Sequence, residues 1–209
     1  MMISASDALK RLRDGNRRFA ANRTANSSTQ ERRTELVAGQ EPFAIILGCS
    51  DSRVPAELVF DQGFGDLFVI RVAGNIVAPS QIGSVEFAAA RFGTRLVVVL
   101  GHSQCGAVLA TLDELLGRAT TDSRNLRSIV DRVRPAVETL LGNDHLRADP
   151  DALIRDAVRA NVRASANQLR HGSELLERLI QDDGLCVVGA EYSLETGVVS
   201  FLDEVPSQY

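Results

Sequence analysis

The sequence has few cysteines, no broad basic charge and no long apolar run near its start, and each shortage excludes a class of protein. Three cysteines are an odd number and too few for a disulfide framework, which indicates a reducing, intracellular setting. The formal net charge of −4 offers no basic field to nucleic acid or anionic lipid. Charged residues interrupt residues 1–20, so neither a secretory signal nor a membrane span fits. We therefore expect a cytoplasmic protein with no nucleic-acid or membrane partner.

The 209 residues, 44% apolar and 24% charged, are enough for a globular domain with a sizeable core. No internal repeat, low-complexity tract or linker divides them. The sequence therefore predicts a single domain over residues 1–209.

Continuous apolar runs alternate with helical patterns from residue 44 onward. Such runs are typical of strands buried on both faces of a parallel sheet. The predicted strands cover residues 44–49, 66–72, 96–102, 185–192 and 198–202, and the predicted helices cover residues 5–21, 30–38, 80–92, 106–116, 123–141, 151–170 and 173–180. The last strand follows a turn at 195–197 and is expected to pair antiparallel. The sequence thus predicts an α/β fold with a mostly parallel four-stranded sheet, an antiparallel edge strand and flanking helices.

Capping residues and helix breakers place several of these boundaries. Ser6 or Asp7 is expected to cap the first helix, and Gly39 to end the second. Pro135 is expected to kink or restart the helix over 123–141, because proline removes a backbone donor.

Candidate metal ligands follow two of the predicted strands. Cys49 ends the first and His102 ends the third, with Cys105 three residues later, at strand ends where open parallel sheets collect their ligands. Gly48 and Gly101 each precede a ligand and would let the backbone approach closely. A helix start at Cys105 would favour its thiolate. Two thiolates and one imidazole make a zinc site with three protein ligands, which is typical of catalytic zinc because a fourth position stays available for water.

Asp51 and Arg53 follow the first cysteine, two residues apart. In an extended turn both can point into one pocket, where the guanidinium would hold the carboxylate through two hydrogen bonds. A carboxylate held in this way can accept a hydrogen bond from a water on the metal and orient it. The same carboxylate could instead occupy the fourth zinc position and close the site, and the sequence leaves both arrangements open.

The remaining cysteine and the other two histidines have simpler interpretations. Cys186 lies within an apolar strand, so we expect it to pack in the core. His145 and His171 lie in polar, charged stretches, so we expect them on the surface.

Four motifs resemble those of the β-class carbonic anhydrases. They are Cys49–Arg53, Arg71–Asn75, Gly83–Phe87 and Gly101–Gly106, and their order and spacing match that family from about residue 5 to residue 203. The resemblance implies reversible hydration of carbon dioxide to bicarbonate and a proton. It also implies one zinc ion per subunit on the two cysteines and the histidine of the metal motifs, with Asp51 and Arg53 as the catalytic dyad.

The same resemblance implies a homodimer, which can pair again into a tetramer, with residues 1–40 forming a helical arm over the partner. The substrate pocket would then lie at the dimer interface. The substrate-binding residues that the resemblance implies are Gln40, Phe68, Phe87 and Gly106. Phe87 stands where some members carry a tyrosine, so a role that depends on a hydroxyl is absent there.

One position departs from a subset of the family. Some bacterial members bind bicarbonate at a second, inhibitory site that needs a tryptophan three residues before the first cysteine. Ile46 occupies that position, and the sequence contains no tryptophan. We therefore predict that this regulatory site is missing, although Arg71 matches its arginine.

Three other functions could use the same motifs. Some relatives hydrolyse carbonyl sulfide or carbon disulfide by the same attack on a linear triatomic molecule, and this alternative stays open. A zinc-holding structural or regulatory protein would need neither Asp51 nor Arg53, so their presence speaks against it. A cysteine phosphatase needs a longer phosphate loop than the residues between Cys49 and Arg53, and a basic cradle that the sequence lacks.

Overall fold

The computed structural model describes residues 3–25 and 28–203, and its elements follow the predicted alternation. The strands are β1 (Ala44–Gly48), β2 (Leu67–Arg71), β3 (Leu96–His102), β4 (Cys186–Tyr192) and β5 (Val199–Phe201). The helices are α1 (Ala5–Ala20), α2 (Gln30–Glu35), α3 (Ala56–Val59), α4 (Pro79–Arg91), α5 (Gly106–Leu115), α6 (Arg124–Val137), α7 (Asp144–Ala148), α8 (Pro150–His171) and α9 (Glu174–Asp182). Short 3₁₀ segments cover Leu36–Ala38, Ala73–Asn75 and Glu138–Gly142.

The five strands form one sheet in the order β2-β1-β3-β4-β5. β2, β1, β3 and β4 are parallel, and β5 pairs antiparallel with β4 at the edge, so the predicted fold class is confirmed. The register places Gly48 of β1 beside Arg71 of β2 and Leu100 of β3. Because β1 and β3 are parallel neighbours, the residues that follow them meet at one edge of the sheet.

Side chains alternate across the sheet and build a core on each face. Ile46 and Val98 point to the face that α1 covers, while Leu47 and Val99 point to the face that packs on residues of α4, α8 and α9. These strand residues are fully buried, as expected for parallel strands covered on both sides. A third cluster, at the carboxyl ends of the strands, surrounds the cysteines of the metal motifs.

The cap predicted for α1 is wrong by two or three residues. Ser4, not Ser6 or Asp7, caps the helix: its Oγ accepts a hydrogen bond from the Asp7 N–H at 3.1 Å and donates one to the Asp7 carboxylate at 2.7 Å. Ser4 has the extended backbone that an N-cap requires, whereas the two predicted residues already lie in the first turn.

The apolar side of α1 packs on the sheet of its own chain. Contact between residues 1–40 and a partner subunit stays a prediction.

Two short helices, α3 and α7, were not predicted, because four or five residues are too few to show helical periodicity. α7 lies between the helices predicted over 123–141 and 151–170, and at its start Asn143 Oδ1 accepts hydrogen bonds from the N–H groups of His145 and Leu146. The helix predicted over 123–141 becomes 3₁₀ after Val137, shortly after the expected break at Pro135.

The cysteine and the two histidines outside the metal motifs lie as predicted. Cys186 is half-buried against the core at the start of β4. His145 and His171 are exposed on α7 and at the end of α8. Within residues 3–25 and 28–203, no helix has both the length and the apolar content needed to cross a membrane.

Candidate metal centre

Three side chains converge where β1 and β3 end. Cys49 directly follows β1, His102 is the last residue of β3, and Cys105 is the N-cap of α5. All three are buried, with exposed fractions of 5%, 0% and 1%. Their ligand atoms lie within 4.8 Å of one another, and the two sulfur atoms are 4.0 Å apart. A single cation placed between them could contact all three.

The orientation of His102 prepares one ring nitrogen for a metal. Nδ1 lies 2.8 Å from the carbonyl oxygen of Ser103, an acceptor that assigns the ring proton to Nδ1. Nε2 then carries a lone pair, and it is buried with no hydrogen-bond partner among the described residues. An unpaired buried nitrogen is costly, and coordination of a metal would remove that cost. The donor set of two sulfurs and one imidazole nitrogen fits zinc.

The two thiols do not titrate alike. A hydrogen bond from the Cys105 thiol is the largest of the effects that lower the pKa of Cys49, and the N–H of Gly74, 3.3 Å from the sulfur, acts in the same direction. The same contact and burial raise the pKa of Cys105. One thiolate is therefore stabilised by the protein alone. The second would form if a bound cation displaced its proton.

Asp51 and Arg53 form the predicted two-pronged pair beside this cluster. Arg53 donates from Nε to Oδ1 at 2.9 Å and from a terminal nitrogen to Oδ2 at 2.7 Å, and its backbone N–H also donates to Oδ1 at 2.9 Å. These bonds hold the pKa of Asp51 well below its usual range. Asp51 Oδ2 lies 3.9 Å from His102 Nε2. The carboxylate therefore adjoins the three ligands while both of its oxygens are turned to Arg53.

Arg71 supports the loop that carries Cys49 and Asp51, a role the sequence interpretation missed. Its guanidinium donates to the carbonyl of Cys49 at 3.0 Å and to the carbonyl of Asp51 at 2.6 Å. No local sequence pattern indicates this role, because Arg71 reaches the loop only through the pairing of β1 with β2, which places it beside Gly48.

Ile46, at the position of the tryptophan in the regulatory site, is fully buried in the core. The absence of that bicarbonate site stays a prediction.

The two glycines that precede the ligands differ in how closely neighbouring atoms pack against them. A Cβ on Gly101 would lie 2.4 Å from Val162 Cγ2, so this glycine permits close packing of α8 on β3. A Cβ on Gly48 would meet its nearest neighbour at 3.9 Å, an ordinary contact. The predicted close approach therefore holds for Gly101, where the neighbour is a helix, and is wrong for Gly48.

A model of the carbonic anhydrase family matches residues 44–199, three quarters of the chain. Carbonic anhydrase 2 of Mycobacterium tuberculosis is 38% identical over 199 residues, which cover 95% of this chain and 93% of that protein. The crystal structure of the β-carbonic anhydrase CafA of Aspergillus fumigatus has a TM-score of 0.74 at 27% identity, covering 95% of this chain and 90% of that one. The chain belongs to the β-carbonic anhydrase family. A tetrameric β-carbonic anhydrase of Sordaria macrospora has the same fold, with a TM-score of 0.74 at 23% identity over 94% of this chain and 97% of that one.

Within one subunit of this protein, one of the four predicted pocket residues adjoins the metal cluster. Gly106 is the first residue of α5 and follows Cys105 directly. Gln40 is exposed and precedes β1, whereas the metal ligand follows it. At about 3.3 Å per residue, the strand puts roughly 16 Å between the two ends.

The two predicted aromatic pocket residues also lie away from the cluster. Phe68 pairs with Ile45, four residues before Cys49, or about 13 Å along the strand. Its ring centroid is 6.2 Å from that of Phe87 and 6.0 Å from that of Phe92. Phe87 is 54% exposed. Phe68, Phe87 and Phe92 thus form an aromatic cluster that is open to the surface, at a distance from the metal ligands of the same chain.

Proposed function

We propose that this chain catalyses the reversible hydration of carbon dioxide to bicarbonate and a proton, using one zinc ion per subunit held by Cys49, His102 and Cys105. The observation that carries the proposal is the buried ligand cluster with an unpartnered Nε2 and a held carboxylate beside it. The cluster occurs in a chain of the carbonic anhydrase family. A structural zinc site usually has four protein ligands, whereas three leave a position for chemistry.

Each residue of the site has a separate task in this reaction. When bound, zinc would act as a Lewis acid that lowers the pKa of a bound water to about 7. Asp51, kept ionised by Arg53, can accept a hydrogen bond at Oδ2 from the attacking water and orient its lone pair toward carbon dioxide. Arg53 at the same time draws the carboxylate away from the fourth metal position.

Gly106 offers a donor to the product. It begins α5, and the N–H groups of the first helical turn have no acceptor within the helix. The N–H of Gly106 next to Cys105 could therefore bind an oxygen of bicarbonate, helped by the positive end of the helix dipole.

The distances within one chain support a pocket shared between two subunits. Gln40, Phe68 and Phe87 lie at the opposite end of the strands from the metal ligands, yet Phe87 is 54% exposed and could be covered by a second copy. In a homodimer, these residues of one subunit would form the pocket over the metal of the other. Pairing of dimers into a tetramer is consistent with the fold shared with the tetrameric enzyme of Sordaria macrospora.

The unpaired cysteines support a cytoplasmic location. All three are free, and two belong to the metal cluster. Thiol ligands stay available to zinc in a reducing compartment, where disulfides are rare.

Substitution of the cysteines tests the proposed function. The protein, purified without chelators, is expected to contain one zinc per chain and to hydrate carbon dioxide in a stopped-flow assay. Cys105→Ser should lose both properties. Cys186→Ser is the matched control, because this half-buried cysteine lies outside the cluster, and it should keep both.

The outcomes of this test separate the alternative functions. Wild-type protein without zinc would overturn the proposal. Zinc without any hydration activity would instead support a structural role. Parallel assays with carbonyl sulfide and carbon disulfide would identify a related hydrolase if either were turned over faster than carbon dioxide.

A further inference from the structure

Ser103, between the two zinc-ligand residues of β3 and α5, has all of its hydrogen-bonding groups engaged. Its carbonyl accepts the bond from His102 Nδ1 at 2.8 Å, and its N–H donates to the carbonyl of Tyr192 at 2.9 Å. Its Oγ accepts a bond from the N–H of Leu194 at 3.0 Å and donates to Glu195 Oε2 at 3.0 Å. Three of these four bonds run to the segment that joins β4 to β5.

The segment over residues 192–198, which we term the β4–β5 turn, is itself well braced. The hydroxyl of Ser193 also donates to Glu195 Oε2 at 3.0 Å and accepts from the N–H of Thr196 at 3.1 Å. Asn16 of α1, buried at 4% exposure, donates from Nδ2 to the carbonyl of Gly197 at 2.9 Å. Its Oδ1 accepts from the N–H of Val199 at 2.8 Å. The turn is therefore anchored to both the sheet and α1.

An anchored acceptor at Nδ1 controls how an imidazole binds a metal. The acceptor determines which nitrogen carries the proton and in which plane the ring lies, and loss of such partners typically weakens metal binding 10- to 100-fold. For His102 the acceptor is a backbone carbonyl, and its direction depends on the peptide unit of Ser103. The two bonds of the Ser103 hydroxyl restrain that peptide from the side of the turn.

We propose that Ser103 is a positioning residue for His102, with the β4–β5 turn as its anchor. This inference rests on the proposed function, because it assumes that His102 Nε2 binds zinc. Glu195 contributes as the acceptor of the Ser103 hydroxyl, and its side chain is exposed. Sequence motifs gave no indication of this role, since the turn lies about 90 residues from His102 along the chain and the two meet only through the pairing of β3 with β4.

Zinc release from the holoenzyme tests the proposal. Loaded protein is mixed with excess 4-(2-pyridylazo)resorcinol, and the rate of zinc transfer is followed by absorbance. Ser103→Ala should release zinc about tenfold faster than wild type. Ser103→Thr keeps the hydroxyl and should restore slow release. Ser128→Ala is the matched control, because Ser128 is an exposed serine on α6 whose hydroxyl donates only to its own helix, at Asn125 O.

Cobalt-substituted protein supplies a readout that a loss of fold stability alone would not move. The d–d absorption bands of Co²⁺ report ligand geometry, so they should shift in Ser103→Ala and return in Ser103→Thr. Glu195→Ala removes one acceptor and leaves the bond from Leu194, so a smaller change in both readouts is expected.

Several results would overturn the inference. Wild-type release and an unchanged cobalt spectrum in Ser103→Ala would do so, even if that variant melted at a lower temperature. If Ser103→Ala does not fold, Glu195→Ala decides the question, and unchanged release there overturns the role. Wild-type protein that holds no zinc overturns the proposed function and this inference together, whereas a zinc-loaded, active wild type with an indifferent Ser103→Ala overturns the positioning role alone.

Discussion

At the residue scale, Asp51 allows the catalytic step to be tested separately from zinc binding. Asp51→Ala should retain zinc, because the three ligands are untouched, and should lose about 100- to 10,000-fold in carbon dioxide hydration, the usual range for a positioned proton acceptor. Stopped-flow hydration and zinc content measured on the same sample check both halves.

A matched control for Asp51 is available on the surface. Asp113 also faces an arginine, Arg118, but at 3.9 Å and far from the ligands, so Asp113→Ala should keep wild-type turnover. Equal activity of Asp51→Ala and Asp113→Ala would remove Asp51 from the mechanism.

Arg53 should matter although it coordinates nothing. Arg53→Ala frees both oxygens of Asp51, which lie near the fourth metal position, and we expect the carboxylate to coordinate zinc and reduce hydration about 100-fold. Zinc K-edge absorption should then show an additional carboxylate oxygen. Arg53→Lys can make only a single-point contact and should recover part of the activity. Unaltered coordination together with full turnover in Arg53→Ala would refute this account.

At the element scale, Gly101 allows α8 to pack closely on β3. Gly101→Ala would bring a Cβ to 2.4 Å from Val162 Cγ2 and force the helix or strand to shift. Overpacking of this kind costs about 1–3 kcal/mol, which a urea unfolding midpoint would reveal.

Gly142, at the end of the 3₁₀ segment after α6, is the control for this substitution. A Cβ there meets nothing within 4 Å, so Gly142→Ala should change stability by no more than about 0.5 kcal/mol. A Gly101→Ala protein as stable as Gly142→Ala would show that α8 can move without cost.

Most strands and long helices could be predicted, because contiguous stretches of sequence encode them. β3 matches its predicted range, residues 96–102, because an unbroken apolar run bounded by polar residues is encoded in contiguous sequence. α3 and α7 were missed because their four and five residues carry too little periodicity. The cap of α1 went to Ser4 because the backbone conformation, not the residue type alone, selects a cap.

At the scale of the whole molecule, the shared pocket makes a prediction about mixed subunits. Homodimers of Gln40→Ala should be weak because the pocket is damaged, and homodimers of Cys105→Ser should be inactive because the metal is lost. Subunit exchange between them should recover about a quarter of wild-type activity, since half of the dimers are hybrids and each has one complete site.

The mass of the exchanged species, measured by light scattering, would confirm that dimers form. No recovery in verified hybrids would place Gln40 in the pocket of its own chain, contrary to the distances along β1. An obligate monomer that is fully active would contradict the shared pocket altogether.

The sequence by itself determined the strand and helix alternation, the identities of the three candidate zinc ligands and the Asp51–Arg53 pair. These features depend on residue types and on spacings of a few positions, and backbone geometry over such short distances is nearly fixed. The tertiary structure decided which strand ends meet, so that Arg71 reaches the Cys49 loop and the β4–β5 turn reaches Ser103. It also showed that Phe68 lies far from the metal ligands of its own chain. Contacts of this kind depend on sheet order and register, which distant segments settle jointly and no single stretch of sequence encodes.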